Sequence, residues 1–157
     1  MHRPEAETSG LLLVTKDAET CAALQRQFAL REACSRHVAW VDGEVEGERG
    51  LIELPLRADP EQPARQRVDV LHGKPALTEW HVLLRTGTRT RLALHPRTHQ
   101  PHQLRVHAAE PLGLGAPIVG DRLYRCEGAR LLLHAEALSF THPRTGQRVE
   151  LDGLAPF

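Results

Sequence analysis

An α+β fold, a mostly antiparallel mixed sheet with few helices, is the class this sequence predicts. Three observations carry it. Short strand-like runs recur between turn residues along the chain, two of them face each other across a tight turn, and only two windows carry a helix start signal. Gly10 to Thr15 (GLLLVT) is an apolar run opened by a turn former and reads as a buried strand. Asp17 can cap a helix to about Leu30, because Cys21, Leu24 and Phe28 fall on one face at helical spacing. Arg36 to Asp42 alternates as a strand, and Asp59 to Arg67 (DPEQPARQR) is a polar, proline-bearing loop. Arg67–Leu71, Glu79–Arg85 and Arg89–His95 read as three strands, the last two joined by a turn around Thr86-Gly87-Thr88. Pro101 suits the first turn of a helix through about Ala109. A glycine-rich loop, PLGLGAPIVGD, follows. Strands at Leu131–Leu133, Leu138–Phe140 and Arg148–Leu151 complete the reading.

The bulk composition narrows the class further. At 157 residues the chain fits one domain over 1–157 and is long enough to bury a core. Aromatics are only 4%, so that core must rest on leucine, valine and alanine. Twenty basic and twenty acidic side chains give zero formal charge, which leaves nucleic acid open as a partner, since a basic patch is compatible with overall neutrality. Cys21, Cys34 and Cys126 are odd in number and widely spaced, which argues against a disulfide framework or a zinc knuckle. No stretch approaches the roughly 20 apolar residues of a membrane span, and the first residues lack the apolar region of a secretory signal. The expected location is the cytoplasm.

Four segments then carry a resemblance. HRPEAETSGLLLVTKD at 2–17, HGKPALTEWHVL at 72–83, PRTHQPHQLRVHAAEPLGLGAPIVGDRLY at 96–124 and RLLLHAEALSFTHPRTG at 130–146 resemble, in order and at similar spacing, the motifs of RluA-type RNA pseudouridine synthases. Together they cover nearly the whole chain. The resemblance implies the catalytic-domain fold of that family without the strands that family members place ahead of the first motif. Those missing strands would leave a sheet edge through which the chain could dimerise. The resemblance also implies an activity: a uridine in ribosomal or transfer RNA is flipped into a pocket, its glycosidic bond is broken, and the base is rotated and rejoined through carbon 5, with no metal or organic cofactor.

The same resemblance implies the site. Glu5 occupies the position of the catalytic aspartate. Its extra methylene moves the carboxylate by roughly 1.5 Å, and misplacement of about 1 Å can cost on the order of a hundredfold in rate. Arg105 matches the arginine that pairs with that carboxylate and keeps it ionised. Arg3 matches the arginine that takes the place of the flipped nucleotide. His37 stands where the family has a tyrosine against the target base, and a histidine can stack and move a proton there. His102 and Gln103, with Arg3, are the expected RNA contacts. Pro4 stands in place of leucine, and His99-Gln100-Pro101 in place of Gly-Arg-Thr. Asp121, in GDRLY, reads as a loop anchor, and Tyr124 and His134 as core and pocket wall. His95, His99, His102 and His107 invite a metal reading, but they lack a paired carboxylate at ligand spacing, and family motifs account for two of them. Two functions stay open: an RNA uridine isomerase, or an RNA-binding remnant of that family with impaired catalysis.

Overall fold

The computed structural model describes residues 7–124 and 126–157. Nine strands and two α-helices are found there: β1 (Ser9–Gly10), α1 (Ala18–Ala29), β2 (Cys34–Asp42), β3 (Arg49–Glu53), β4 (Leu56–Ala58), β5 (Gln66–Val68), β6 (Leu77–Arg85), β7 (Arg89–Pro96), α2 (Gln103–Ala109), β8 (Leu133–Thr141) and β9 (Arg148–Asp152). Seven strands form one sheet in the order β1-β8-β2-β7-β6-β3, with β9 also on β8, while β4 and β5 form a separate ribbon. Only β1 pairs in parallel, so the sheet is mixed and mostly antiparallel, as the sequence predicts.

Local chemistry accounts for the elements. The Asp17 carboxylate accepts the Thr20 amide at 2.7 Å and so caps α1. Those bonds hold its pKa below the ordinary value. At the far end of the helix, Gln27 exchanges two hydrogen bonds with the Thr141 backbone and ties α1 to β8. Leu24 and Phe28 pack with Leu138 and Phe140 in one core cluster. The larger cluster joins Leu104 and Ala108 of α2 to Ala39, Val41, Trp80, Leu92 and Leu94 of the sheet. A third cluster seats the ribbon, through Leu56, on Val106 of α2 and on Tyr124.

Four expectations change, the first being the strand expected over Arg67–Leu71, which is β5 at Gln66–Val68 followed by a turn at 70–72. The apolar run after Gly10 is not a strand: pairing ends at Gly10, and Leu11 and Leu13 pack against the α1 cluster while Leu12 and Val14 are exposed. The two strands expected around Leu131–Leu133 and Leu138–Phe140 are one, β8. His37 pairs with Ala135 and Arg36 with Ala137, leaving Glu136 as the extra residue of a bulge, where it meets Arg36 at 3.1 Å. The helix begins at Gln103 rather than Pro101, because His102 turns left-handed at φ 53°.

Candidate active site

The centre of the site is a buried charge pair. In α2 every residue from Gln103 to Ala108 is buried, and Arg105 is 2% exposed. A guanidinium so placed needs a fixed partner, because an uncompensated buried charge is costly. Asp121, itself 0% exposed, supplies it with a bidentate pair: Nε donates to Oδ2 at 2.7 Å and Nη2 to Oδ1 at 2.6 Å. The Gly120 turn brings Asp121 there. Its φ is +82°, and a Cβ at that position would lie 1.8 Å from the Arg130 carbonyl oxygen, so the turn requires glycine. Asp121 also closes the next turn, its carbonyl accepting from the amides of Tyr124 and Cys126.

Arg105 is not spent on Asp121 alone. Its Nη2 lies 3.5 Å from the Glu7 carboxylate, which is largely exposed. Two guanidinium groups lie over the Tyr124 ring, Arg105 at 5.3 Å and Arg65 at 4.9 Å from its centroid. The Tyr124 hydroxyl accepts the Gln66 amide at 2.9 Å and contacts His102 Nδ1 at 2.9 Å. One tyrosine thus joins the ribbon, the turn before α2 and the buried arginine.

The chain that leads to Glu7 is anchored at β1. Ser9 Oγ lies 2.9 Å from His134 Nδ1 and accepts from Arg130 at 3.1 Å, and His134 Nε2 faces the Gly153 carbonyl at 3.0 Å. A carbonyl only accepts, so Nε2 carries the proton and the Ser9 hydroxyl can donate to Nδ1. At Gly10, φ is +104° and an added Cβ would lie 2.3 Å from the Ala135 carbonyl oxygen. His37 sits in the row that crosses six strands as Gly10, Ala135, His37, Leu94, Trp80 and Gly50. Directly opposed residues share a face, so buried His37 lies on the side of Leu94 and Trp80, the side α2 covers.

The expected site residues therefore divide. Arg3 and Glu5 lie outside the described residues. Arg105 and Tyr124 come together with Asp121, and the fold places His37 on the α2 side of the sheet. Gln103 is 3% exposed. It donates to the Leu77 carbonyl and Thr78 Oγ1 and accepts from Thr98 Oγ1 and the Gln100 amide, which uses its full capacity. The other histidines take separate partners: His99 meets Phe28 and His95 meets His81 edge to face, while His107 sits between Thr78 Oγ1 and the Leu54 carbonyl. Burial pushes the His107 imidazole below its ordinary pKa, and burial, with His81 and the Arg97 and Arg36 guanidinium groups nearby, does the same to His95. Asp121 as partner of Arg105, and Glu7 beside it, went unrecognised in the sequence. The available signal was an arginine inside the apolar stretch LRVHAA, which demands a carboxylate from elsewhere in the chain.

A mixed sheet with two short helices, carrying a buried arginine that faces the segment ahead of β1, is the arrangement that comparison with known proteins then identifies. The family model described as RNA pseudouridylate synthase matches residues 1–110. The chain is 42% identical over 165 residues to "Dual-specificity RNA pseudouridine synthase RluA" of Escherichia coli (strain K12), covering 100% of this chain and 73% of that protein. It is 38% identical over 162 residues to the protein of that name from Haemophilus influenzae, with 99% and 73% covered. Among solved structures, human RNA Pseudouridylate Synthase Domain Containing 1 superposes with a TM-score of 0.83 at 28% identity, over 99% of this chain and 68% of that one. The chain belongs to the RNA pseudouridylate synthase family. No helix among the described residues is long and apolar enough to cross a membrane.

Proposed function

We propose that the protein isomerises uridine to pseudouridine in ribosomal or transfer RNA, acting in the cytoplasm, with 1–157 as part of a single catalytic domain and without metal or organic cofactor. The N1–C1′ bond breaks, the base turns, and a C5–C1′ bond forms; C5 gives up a proton and N1 gains one, so composition is unchanged and no oxidant is needed. The observation that carries this reading is Arg105, buried in α2, locked by Asp121 and reaching towards residue 7, two positions past the residue that matches the family's carboxylate.

Glu5 is the carboxylate at the ribose, and Arg105 holds it ionised and in place. Arg3 fills the gap left by the flipped nucleotide, and His37 packs against the base and handles the C5 proton. His102 serves the RNA site, and buried Gln103 holds the turn that starts α2 rather than the RNA itself.

The test is incubation with ribosomal and transfer RNA followed by assay for carbodiimide-resistant pseudouridine. Product from the wild type that disappears with Glu5→Gln is expected. Salt-sensitive RNA binding without product, and product only after Glu5→Asp, would overturn catalysis and identify an impaired RNA-binding remnant.

A further inference from the structure

The ribbon β4–β5 ends in a two-residue apolar tip. Val70 and Leu71 are 75% and 86% exposed, side by side. A mobile loop could fold such side chains away, but this one is pinned. The Asp69 amide donates to the Pro55 carbonyl at 2.9 Å, its Oδ1 accepts the amides of Leu71 and His72, and its carbonyl accepts the Gly73 amide at 2.8 Å. Lys74 and Leu56 then exchange two backbone bonds at 2.8 and 2.9 Å. A Cβ on Gly73 would lie 2.4 Å from the Asp69 carbonyl oxygen, so the loop tolerates only glycine there.

Charge is sorted around the tip. Asp69 meets Arg57 at 3.2 Å and Arg67 at 4.0 Å, and Arg67 also meets Asp59 at 3.9 Å. The carboxylates are turned in, at 15% and 16% exposure, and the two arginines are turned out, at 32% and 41%. Lys74 adds a third cation, while exposed Glu61 lies on the turn at the opposite end of the ribbon. That opposite end is fixed to the site through the Gln66 amide on the Tyr124 hydroxyl. Val70 is four residues on from Gln66, at most about 13 Å of extended chain.

Resting on the reading of the protein as an RNA-modifying enzyme, we propose that Val70 and Leu71 form a wedge that enters the stack of an RNA helix beside the target nucleotide, with Arg57 and Arg67 on the flanking phosphates. An apolar wedge between base steps holds a helix open, and a pinned loop delivers it without an ordering cost. The guanidinium forks suit phosphate oxygens.

The experiment compares wild type, the double variant V70S/L71S and Arg67→Ala, first by binding of total transfer RNA across a salt series. A set of RNA hairpins carrying 2-aminopurine at successive stem positions then reports unstacking. The double variant removes only exposed apolar groups. It is expected to bind about tenfold more weakly or worse, with an unchanged slope of log K against log salt, and to lose the 2-aminopurine rise. Arg67→Ala is expected to flatten the slope by about one. Unchanged affinity and unchanged fluorescence in the double variant overturn the wedge. So does sedimentation showing a wild-type dimer that V70S/L71S dissolves, which would make the tip a self-contact. Pseudouridine formation is read in parallel: a wild type that isomerises while the double variant binds normally sinks only the wedge, whereas a wild type that neither binds nor isomerises sinks the enzyme reading as well.

Discussion

Replacing Asp121 by alanine should be among the most damaging single changes in the protein, although no chemistry is assigned to it. Asp121 is completely buried and holds both Nε and Nη2 of an arginine that is itself 2% exposed. Removing Asp121 takes the bidentate partner from a charge in a poorly solvated place and leaves it the more distant, exposed Glu7, at a cost of up to about 3–5 kcal/mol. Domains hold about 5–15 kcal/mol in total, so this one pair decides a large fraction. For a chain of this length the loss corresponds to a fall in Tm of roughly 6–20 °C. Arg105→Met should cost a similar amount, since it strands Asp121 in turn.

The double variant Arg105→Met with Asp121→Leu is the informative one. It removes both charges and fills the space with apolar groups, so it should be far more stable than the sum of the single losses requires. Urea unfolding of the four proteins gives the coupling directly. A favourable coupling of several kcal/mol is expected, with no pseudouridine formed by any variant lacking Arg105. Additive single losses, or an Asp121→Ala variant within about 1 kcal/mol of wild type, would refute the buried-pair argument.

Gln103→Met should lower stability, because it orphans the Thr98, Gln100 and Leu77 groups bonded to its amide, at about 1–3 kcal/mol for each buried group left unpaired; transfer RNA affinity of the folded variant should not change, and a selective loss of affinity would return Gln103 to the RNA contacts. Gly10→Ala should cost about 1–3 kcal/mol in backbone strain and more in the clash with the Ala135 carbonyl, detaching β1 and depressing activity more than thermal stability; equal activity would show that β1 does not position the segment ahead of it. Stability should fall as the medium is acidified, because the His107 pKa is lowered in the fold from 6.5 by burial. The unfolded chain takes up that proton first, so the contribution is complete above about pH 6.5 and drains away below it, with half-buried His95 acting in the same sense. Urea midpoints at pH 8 and pH 5 should differ more for wild type than for His107→Asn, and equal differences would contradict the assignment.

Much of the fold was legible, and the failures have physical reasons. The cap at Asp17, the β6–β7 hairpin and the strand at β2 follow from local patterns that the sheet does not override. The run at 11–14 misled because four consecutive apolar residues look like a strand buried on both faces; here they alternate between core and solvent, and the β1 ladder stops once the Leu11 amide has bonded the Ala135 carbonyl. The β3 strand (RGLIE) was missed because it lies at the end of the main sheet, with adjacent Leu51 and Ile52 in place of alternation and a glycine lying under the Trp80 ring. Glu136 interrupts the apolar pattern of β8, and the bulge that accommodates it depends on Arg36, a hundred positions earlier. Within the site, motif order marked Arg105 and Asp121 separately. Their union needs the left-handed Gly120 turn, which a linear pattern does not reveal.

The same geometry sharpens what Glu5 must do. Arg105 is positioned by Asp121 and packed beside Tyr124, and Tyr124 is held in turn by Gln66 and His102. The bidentate grip of Asp121 fixes the cation, which resists any retreat to suit a longer carboxylate. On the other side, Ser9 and Gly10 are pinned by His134, Arg130 and Ala135. Glu5 and Pro4, both departures from the family pattern, fall in the same short stretch ahead of Ser9. On the proposed role of Glu5, Glu5→Asp shortens the reach of the carboxylate and keeps its charge. It should change kcat by on the order of a hundredfold while leaving the Kd for transfer RNA in place. Equal kcat values for glutamate and aspartate would mean that the carboxylate at position 5 does not act at the ribose, and would shift attention to Glu7, the acid already within 3.5 Å of Arg105.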